Sequence, residues 1–144
     1  MNVFRILFTG SRSFDRADAI HGTLDALATG ALNAGYDRVV LVHGACPDGG
    51  DAHADAWYRA KRGEMPLGVE RHPANWHVHG KKAGFLRNKE MVDLGAHVCL
   101  AAIRDQSKGA TRCAELAEAA DIPVFPLLYD GLPDLAVGYR EVQP

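Results

Sequence analysis

Three short polar stretches of this 144-residue chain carry side chains suited to holding an anion. The first is Gly10-Ser11-Arg12-Ser13-Phe14. The second runs from His43 through Gly44, Gly49 and Gly50 to Asp51, and the third is Ser107-Lys108-Gly109-Ala110-Thr111. Glycine lets a ligand approach the backbone closely, serine and threonine offer hydroxyls, and arginine offers a planar fork that matches phosphate or carboxylate. Where such a stretch opens a helix, the unpaired N–H groups of the first turn and the helix dipole also favour negative charge. Phosphate binding is the chemistry the three stretches share. The plainer reading of each, a turn or capped helix start without a ligand, loses ground when all three converge. Neither the P-loop pattern GxxxxGK[ST] nor the dinucleotide fingerprint GxGxxG is present.

Arg87 is the sharpest single residue. Ala83, Arg87, Met91 and Leu94 fall on one face of a helix, so a guanidinium sits among apolar neighbours. Such a group needs a carbonyl or anionic partner. An internal ion pair or a helix C-terminus would serve, but the expectation favoured here is a ligand phosphate. Asn88, with Lys81 and Lys82 before it, extends polar reach at the same end. Asp51 reads either as a helix cap or as a carboxylate at a pocket rim, placed to meet ribose hydroxyls. Trp76 reads as packing or as a stacking surface for a base. His72, His77 and His79 lack the cysteine or carboxylate company of a zinc site, so neither metal nor cofactor is expected. No Ser-His-Asp order, HExxH or nucleophile elbow is present. If a nucleotide is turned over, the candidate acid or base carboxyls are Asp51, Glu90 and Glu115.

The elements that position these residues alternate in type. Apolar runs at Val3 to Phe8, Val39 to Val42, Leu67 to Arg71, His97 to Ala102 and Ile122 to Phe125 read as buried strands. Helical periodicity occupies Arg16 to Ala34, stopped by Gly35, then Ala52 to Arg62, Lys82 to Leu94 and Ala110 to Ala120. The polar, aromatic connection from His72 to Gly80 reads as loop. Strand-helix alternation predicts an α/β, Rossmann-like, doubly wound parallel sheet of five strands in the order 3-2-1-4-5, with helices on both faces. In that order the first and fourth strands meet where winding reverses, and ligands bind there. Residues 1–126 are expected to form the nucleotide-binding domain. Residues 127–144 are read as an extension packed on that domain or on a partner, with Leu127, Leu128, Leu132 and Leu135 as its apolar contacts.

Bulk properties narrow the function classes. A composition 47% hydrophobic and 24% charged is that of an ordinary globular domain. A formal net charge of -2 gives no global attraction to nucleic acid, which makes such a partner unfavoured. No apolar run approaches the roughly 20 residues of a membrane span, and the N-terminus does not read as a signal peptide. Cys46, Cys99 and Cys113, without CxxC spacing, fit a reducing, cytoplasmic setting.

Taken together, TGSRSF, HGACPDGGDAHADAW, HPANW followed by GKKAGFLRNKEMV, and SKGAT before a helix ending in ADIPVFP resemble the YspA/YpsA-related branch of the SLOG superfamily. Its relatives include the lonely-guy phosphoribohydrolases and the Rossmann-like domain of DprA, and small stand-alone members are frequent in bacteria and phages. The resemblance implies a Rossmann-like fold, a nucleotide or nucleotide-derived ligand, and self-association. It also implies a site lined by Gly10, Ser11, Arg12, Gly44, Gly49, Asp51, Arg87, Asn88, Gly109 and Thr111. One departure bears on activity: the lonely-guy glutamate has no match here, since Cys113 stands at its place and Glu115 lies on another helix face. A nucleotide-binding sensor or sequestering protein is therefore expected first. A nucleotide N-glycosidase is the alternative, and a DprA-like single-strand binder comes third.

Overall fold

The structure is a computed structural model and describes residues 1–128. Strands β1 (Val3–Gly10), β2 (Arg38–His43), β3 (Leu67–Arg71), β4 (Val98–Ile103) and β5 (Val124–Leu128) form one sheet in the order β3-β2-β1-β4-β5. Every neighbouring pair is parallel. The helices are α1 (Ala17–Asn33), α2 (Gly50–Lys61), a single turn α3 (Trp76–His79), α4 (Ala83–Asp93) and α5 (Lys108–Ala119). The sheet order and the helices on both faces are those read from the alternation of apolar runs.

The central strand shows why the pattern works. Ile6, Leu7 and Phe8 are all fully buried, and successive side chains enter opposite layers. Ile6 and Phe8 join Ile20, Leu24 and Ala28 of α1 and Ala54 and Trp57 of α2. Leu7 joins Met91 and Val92 of α4 with Cys113 and Ala117 of α5. A strand covered on both faces cannot alternate apolar with polar, and β1 does not. Trp57 fills the first layer while its Nε1–H donates to the Asp25 carboxylate at 2.8 Å, so its polar end is satisfied. Gly35 ends α1 at φ 104, a conformation that glycine adopts without strain.

Two segments differ from the sequence expectation. The connection from His72 to Gly80 is not all loop. Its end winds into α3, capped by the Asn75 side chain, which accepts from the Val78 N–H at 3.1 Å, and a 3-10 turn over Gly80–Lys82 follows. The fifth strand, expected to end at Phe125, continues through Pro126 to Leu128. Proline lacks the N–H for a ladder, but β5 is an edge strand with only β4 beside it, where proline is tolerated. Leu127 is buried in the α1/α2 layer and so belongs to the domain's own core. Leu132 and Leu135, with the rest of the expected extension, lie outside the described residues. Among the described residues no helix is long and apolar enough to cross a membrane.

Candidate functional site

The loops after β1, β2 and β4 meet at the carboxyl edge of the sheet and are tied through main chain. Ser11 N–H donates to the Ala102 carbonyl at 2.9 Å, and Gly50 N–H donates to the Ser11 carbonyl at 3.0 Å. The Ser11 hydroxyl donates to the Arg104 carbonyl at 3.1 Å and accepts from the Arg104 N–H at 2.8 Å. Gly10 and Gly50 pass with their backbones in contact. A Cβ built on Gly10 would lie 2.9 Å from the Gly50 Cα, and one on Gly50 would lie 2.8 Å from the Gly10 Cα. Gly49, at φ 72, lies against the backbone of Arg12 so closely that a side chain there would collide with it.

These loops wall a cleft of about 480 Å³, within the size range of small-molecule sites. The third wall is α4 with the turn before it. Arg87 reaches out from α4, and its Nη1 donates to the Gly44 carbonyl and, at 3.2 Å, to the His72 carbonyl. Its Nε donates to the Asn88 side-chain oxygen at 2.9 Å. The carbonyl partnership therefore meets part of this guanidinium's need, while the side chain still lines the cleft. Gly44 has no side chain because Arg87 occupies the space one would fill.

Charge is concentrated here. Arg12, Lys81, Arg87, Arg104, Lys108 and Arg112 line the cleft, against the carboxyls of Asp51 and Asp105. Helix α5 opens onto it at Ser107, Lys108, Gly109 and Ala110, with no side-chain cap and no acidic residue in its first turn. Its first N–H groups thus lack partners within the helix. Asp51 is 5% exposed, and one of its oxygens accepts from the Cys46 N–H at 3.2 Å. Burial pushes its carboxyl above the usual range, with the Cys46 N–H and nearby cations opposing. Burial and the neighbouring Asp51 likewise push the Cys46 thiol up. Trp76 and Phe85, half exposed, supply the apolar side of the cleft, and Trp76 lies over Gly84 in the first turn of α4.

Most of the sequence-predicted residues converge on this cleft. Gly10, Ser11, Arg12 and Ser13 come from the first loop, Gly44 and Asp51 from the second, Arg87 and Asn88 from α4, and Ser107 to Ala110 from the third. Several others do not line it, each for a visible reason. Phe14 is fully buried in the α1/α2 layer. Gly49 and Gly50 are spent on loop packing. The Thr111 N–H closes the first turn of α5 on the Ser107 carbonyl at 3.1 Å, and Thr111 does not face the cleft.

His43 is buried and positions the second loop instead. Its Nδ1 accepts from the Ala45 N–H at 3.0 Å, which leaves Nε2 as the donor to Asp55 at 2.8 Å. Of the carboxyls weighed for catalysis, only Asp51 lines the cleft. Glu90 is exposed beside His72, at 3.4 Å, and Glu115 is exposed outside the cleft. Leu94, expected on the buried face with Met91, lies past the end of α4 and is 53% exposed.

Sequence reasoning missed Phe85, Arg104, Arg112 and Cys46 as lining residues. Arg112 was legible as Lys108 plus one helical turn; Phe85 gave no signal beyond an aromatic on a polar helix. Among the described residues no group of three histidines, cysteines or acidic side chains is placed to hold a metal ion.

Comparison with known proteins places this arrangement in a lineage. The family model for YspA, cpYpsA-related SLOG proteins matches residues 4–79, more than half of the chain and two of its three site loops. The chain belongs to this family. It is also 44% identical over 122 residues to the Gene 61 protein of Mycobacterium phage D29, a match covering 84% of this chain and 94% of that one. SLOG membership points to a nucleotide-related role. Arg87 and the Lys108 loop of this SLOG protein lie beyond the segment matched by the family model, so its first two loops carry the family's imprint and the cationic wall is read from the structure.

Proposed function

We propose that this protein binds a phosphate-bearing, nucleotide-derived molecule in the cleft at the carboxyl edge of its sheet, as a sensor or sequestering protein. The supporting observation is the gathering of six cationic side chains on one cleft that faces an uncapped helix N-terminus, in a chain of net charge -2. In this reading Arg12, Arg87, Lys108 and the first N–H groups of α5 hold phosphate. Trp76 and Phe85 offer faces for the base, and the Asp51 carboxyl meets a ribose hydroxyl.

The test is thermal denaturation against mononucleotides, ADP-ribose, NAD and cyclic nucleotides, with chromatography of every stabilising mixture. A ligand at one hundred times its Kd stabilises by about 2.7 kcal/mol, which raises the Tm of a domain this size by about 5–10 °C. Lys108→Ala should shrink that rise without lowering the Tm of the free protein. Absence of a shift with every nucleotide refutes the reading.

A second reading rests on Asp51 alone. A buried cleft carboxyl whose hold on its proton is strengthened by burial has the chemistry to donate that proton to a departing base while water attacks the anomeric carbon, which is N-glycoside hydrolysis. Recovery of free base, lost in Asp51→Asn, would establish it.

A further inference from the structure

We propose that the ligand carries three or more negative charges on consecutive phosphates, making it a nucleoside di- or triphosphate rather than a monophosphate, NAD or ADP-ribose. This rests on the nucleotide reading above and adds the charge class of the ligand. The argument starts from how the cations are partnered. Away from the cleft, Arg5, Arg16, Arg59, Lys61, Arg71 and Lys89 each have a carboxylate within 4.0 Å. Inside it, Arg104 has Asp105 at 3.6 Å, and Arg87 is held by the Gly44 and His72 carbonyls. Arg12, Lys81, Lys108 and Arg112 line the cleft with no carboxylate partner among the described residues.

Their placement is unfavourable unless an anion joins them. Lys108 occupies the first position of α5, at the positive end of the helix dipole, where a cation is disfavoured. Arg112 follows at i+4 on the same face, a like-charge pair that destabilises a helix. The two backbone positions are about 6 Å apart along the axis. Arg12 comes from the loop after β1 and Lys81 from the turn before α4, so the positive charge is spread over three walls. A monophosphate brings about two negative charges at one point and leaves the remainder uncompensated. The diphosphate bridge of NAD or ADP-ribose carries a similar charge. A chain of two or three terminal phosphates brings its charge spread over several atoms, which suits cations that come from several walls. A nucleic-acid strand shares the chemistry, but most described cations outside the cleft are paired with carboxylates, and a net charge of -2 gives its backbone no general attraction.

The experiment is calorimetric titration in low salt with a metal chelator. The probes are the mono-, di- and triphosphates of the four common ribonucleosides, NAD, ADP-ribose, inorganic triphosphate and a short single-stranded DNA. For at least one nucleoside, affinity should rise about tenfold with each added phosphate. Arg112→Ala should weaken the triphosphate about tenfold while leaving the monophosphate nearly unchanged, with the Tm of the free variant preserved. Monophosphate, NAD or ADP-ribose binding as tightly as the triphosphate overturns the charge class but leaves the nucleotide reading intact. A DNA strand binding more tightly than every nucleotide, or inorganic triphosphate binding as tightly as the best nucleoside triphosphate, overturns it as well. No binding by any nucleotide removes both proposals.

Discussion

Replacing Gly10 with alanine should cost far more than the change of one hydrogen for a methyl suggests. The added Cβ would stand 2.8 Å from the Phe8 ring and 2.9 Å from the Gly50 Cα, closer than such atoms are found. Phe8 is fully buried, and Gly50 is backbone at the start of a helix, so neither yields by a rotamer change. The β1 loop and α2 must separate. Overpacking of a close-packed core costs about 1–3 kcal/mol. Stretching the 3.0 Å bond from Gly50 N–H to the Ser11 carbonyl raises the total to about 2–4 kcal/mol, because the donor sits where water is scarce.

Gly30, on an exposed face of α1 with open space around its Cβ position, is the matched control. There the same substitution should stabilise by about 0.5–1 kcal/mol, by removing the freedom glycine brings to the unfolded chain. Urea denaturation of the two variants reads both effects as opposite shifts in midpoint at constant slope. A Gly10→Ala midpoint equal to wild type would refute the claim that the two loops are held in backbone contact.

Three further predictions concern charge. The Arg71 and His43 side chains hold the Asp55 carboxyl at about 2 against burial, and Arg5 with His72 holds Glu70 at about 2. Both native values lie below the unfolded ones, so this stability is present above about pH 4–5 and is lost as pH falls toward 2. Equilibrium unfolding across that range should show the loss, and Asp55→Asn should flatten it. Asp51 has the opposite sign: its raised native value means that ionisation at higher pH weakens the fold. Asp51→Asn, which keeps an oxygen for the Cys46 N–H, should therefore raise the Tm at pH 8 while weakening the ligand. Arg87→Ala removes the donor to two carbonyls and should cost about 1–3 kcal/mol in urea denaturation. Lys108→Ala should stay within about 0.5 kcal/mol of wild type in the same assay.

Much of the fold was legible because buried parallel strands and amphipathic helices have different periods. β1, β2 and β4 read as short apolar runs, and each ends in a polar loop where the structure puts the cleft. What the sequence left ambiguous was direction. His43 and Arg12 both read as polar loop residues, yet His43 ends β2 and turns inward to Asp55, whereas Arg12 lines the cleft. Only the packing around them decides that. Phe14 looked like part of the first loop because its neighbours are polar; its ring belongs to the layer beneath. The fifth strand reads in sequence only as far as Phe125; it continues through Pro126 because the edge position of β5 spares that residue the need for an N–H. α3 was missed because a single turn leaves too few residues for any period to show.

The three loops are joined by the backbones of Gly10, Ser11, Gly50 and Ala102 and by the Ser11 hydroxyl. The side chains of Arg12, Lys81, Lys108 and Arg112 line the cleft and, among the described residues, make no hydrogen bond or ion pair that holds the loops together. Scaffold and recognition are thus inherited almost independently. A lineage can exchange the second set at little cost to folding and acquire a new ligand preference, whereas a change in the first set dismantles the frame for every ligand at once. Relatives that share TGS and HGACPDGGD can accordingly be expected to share an architecture while differing in what they hold, and the side chains at positions 12, 81, 108 and 112 are where those differences should be read.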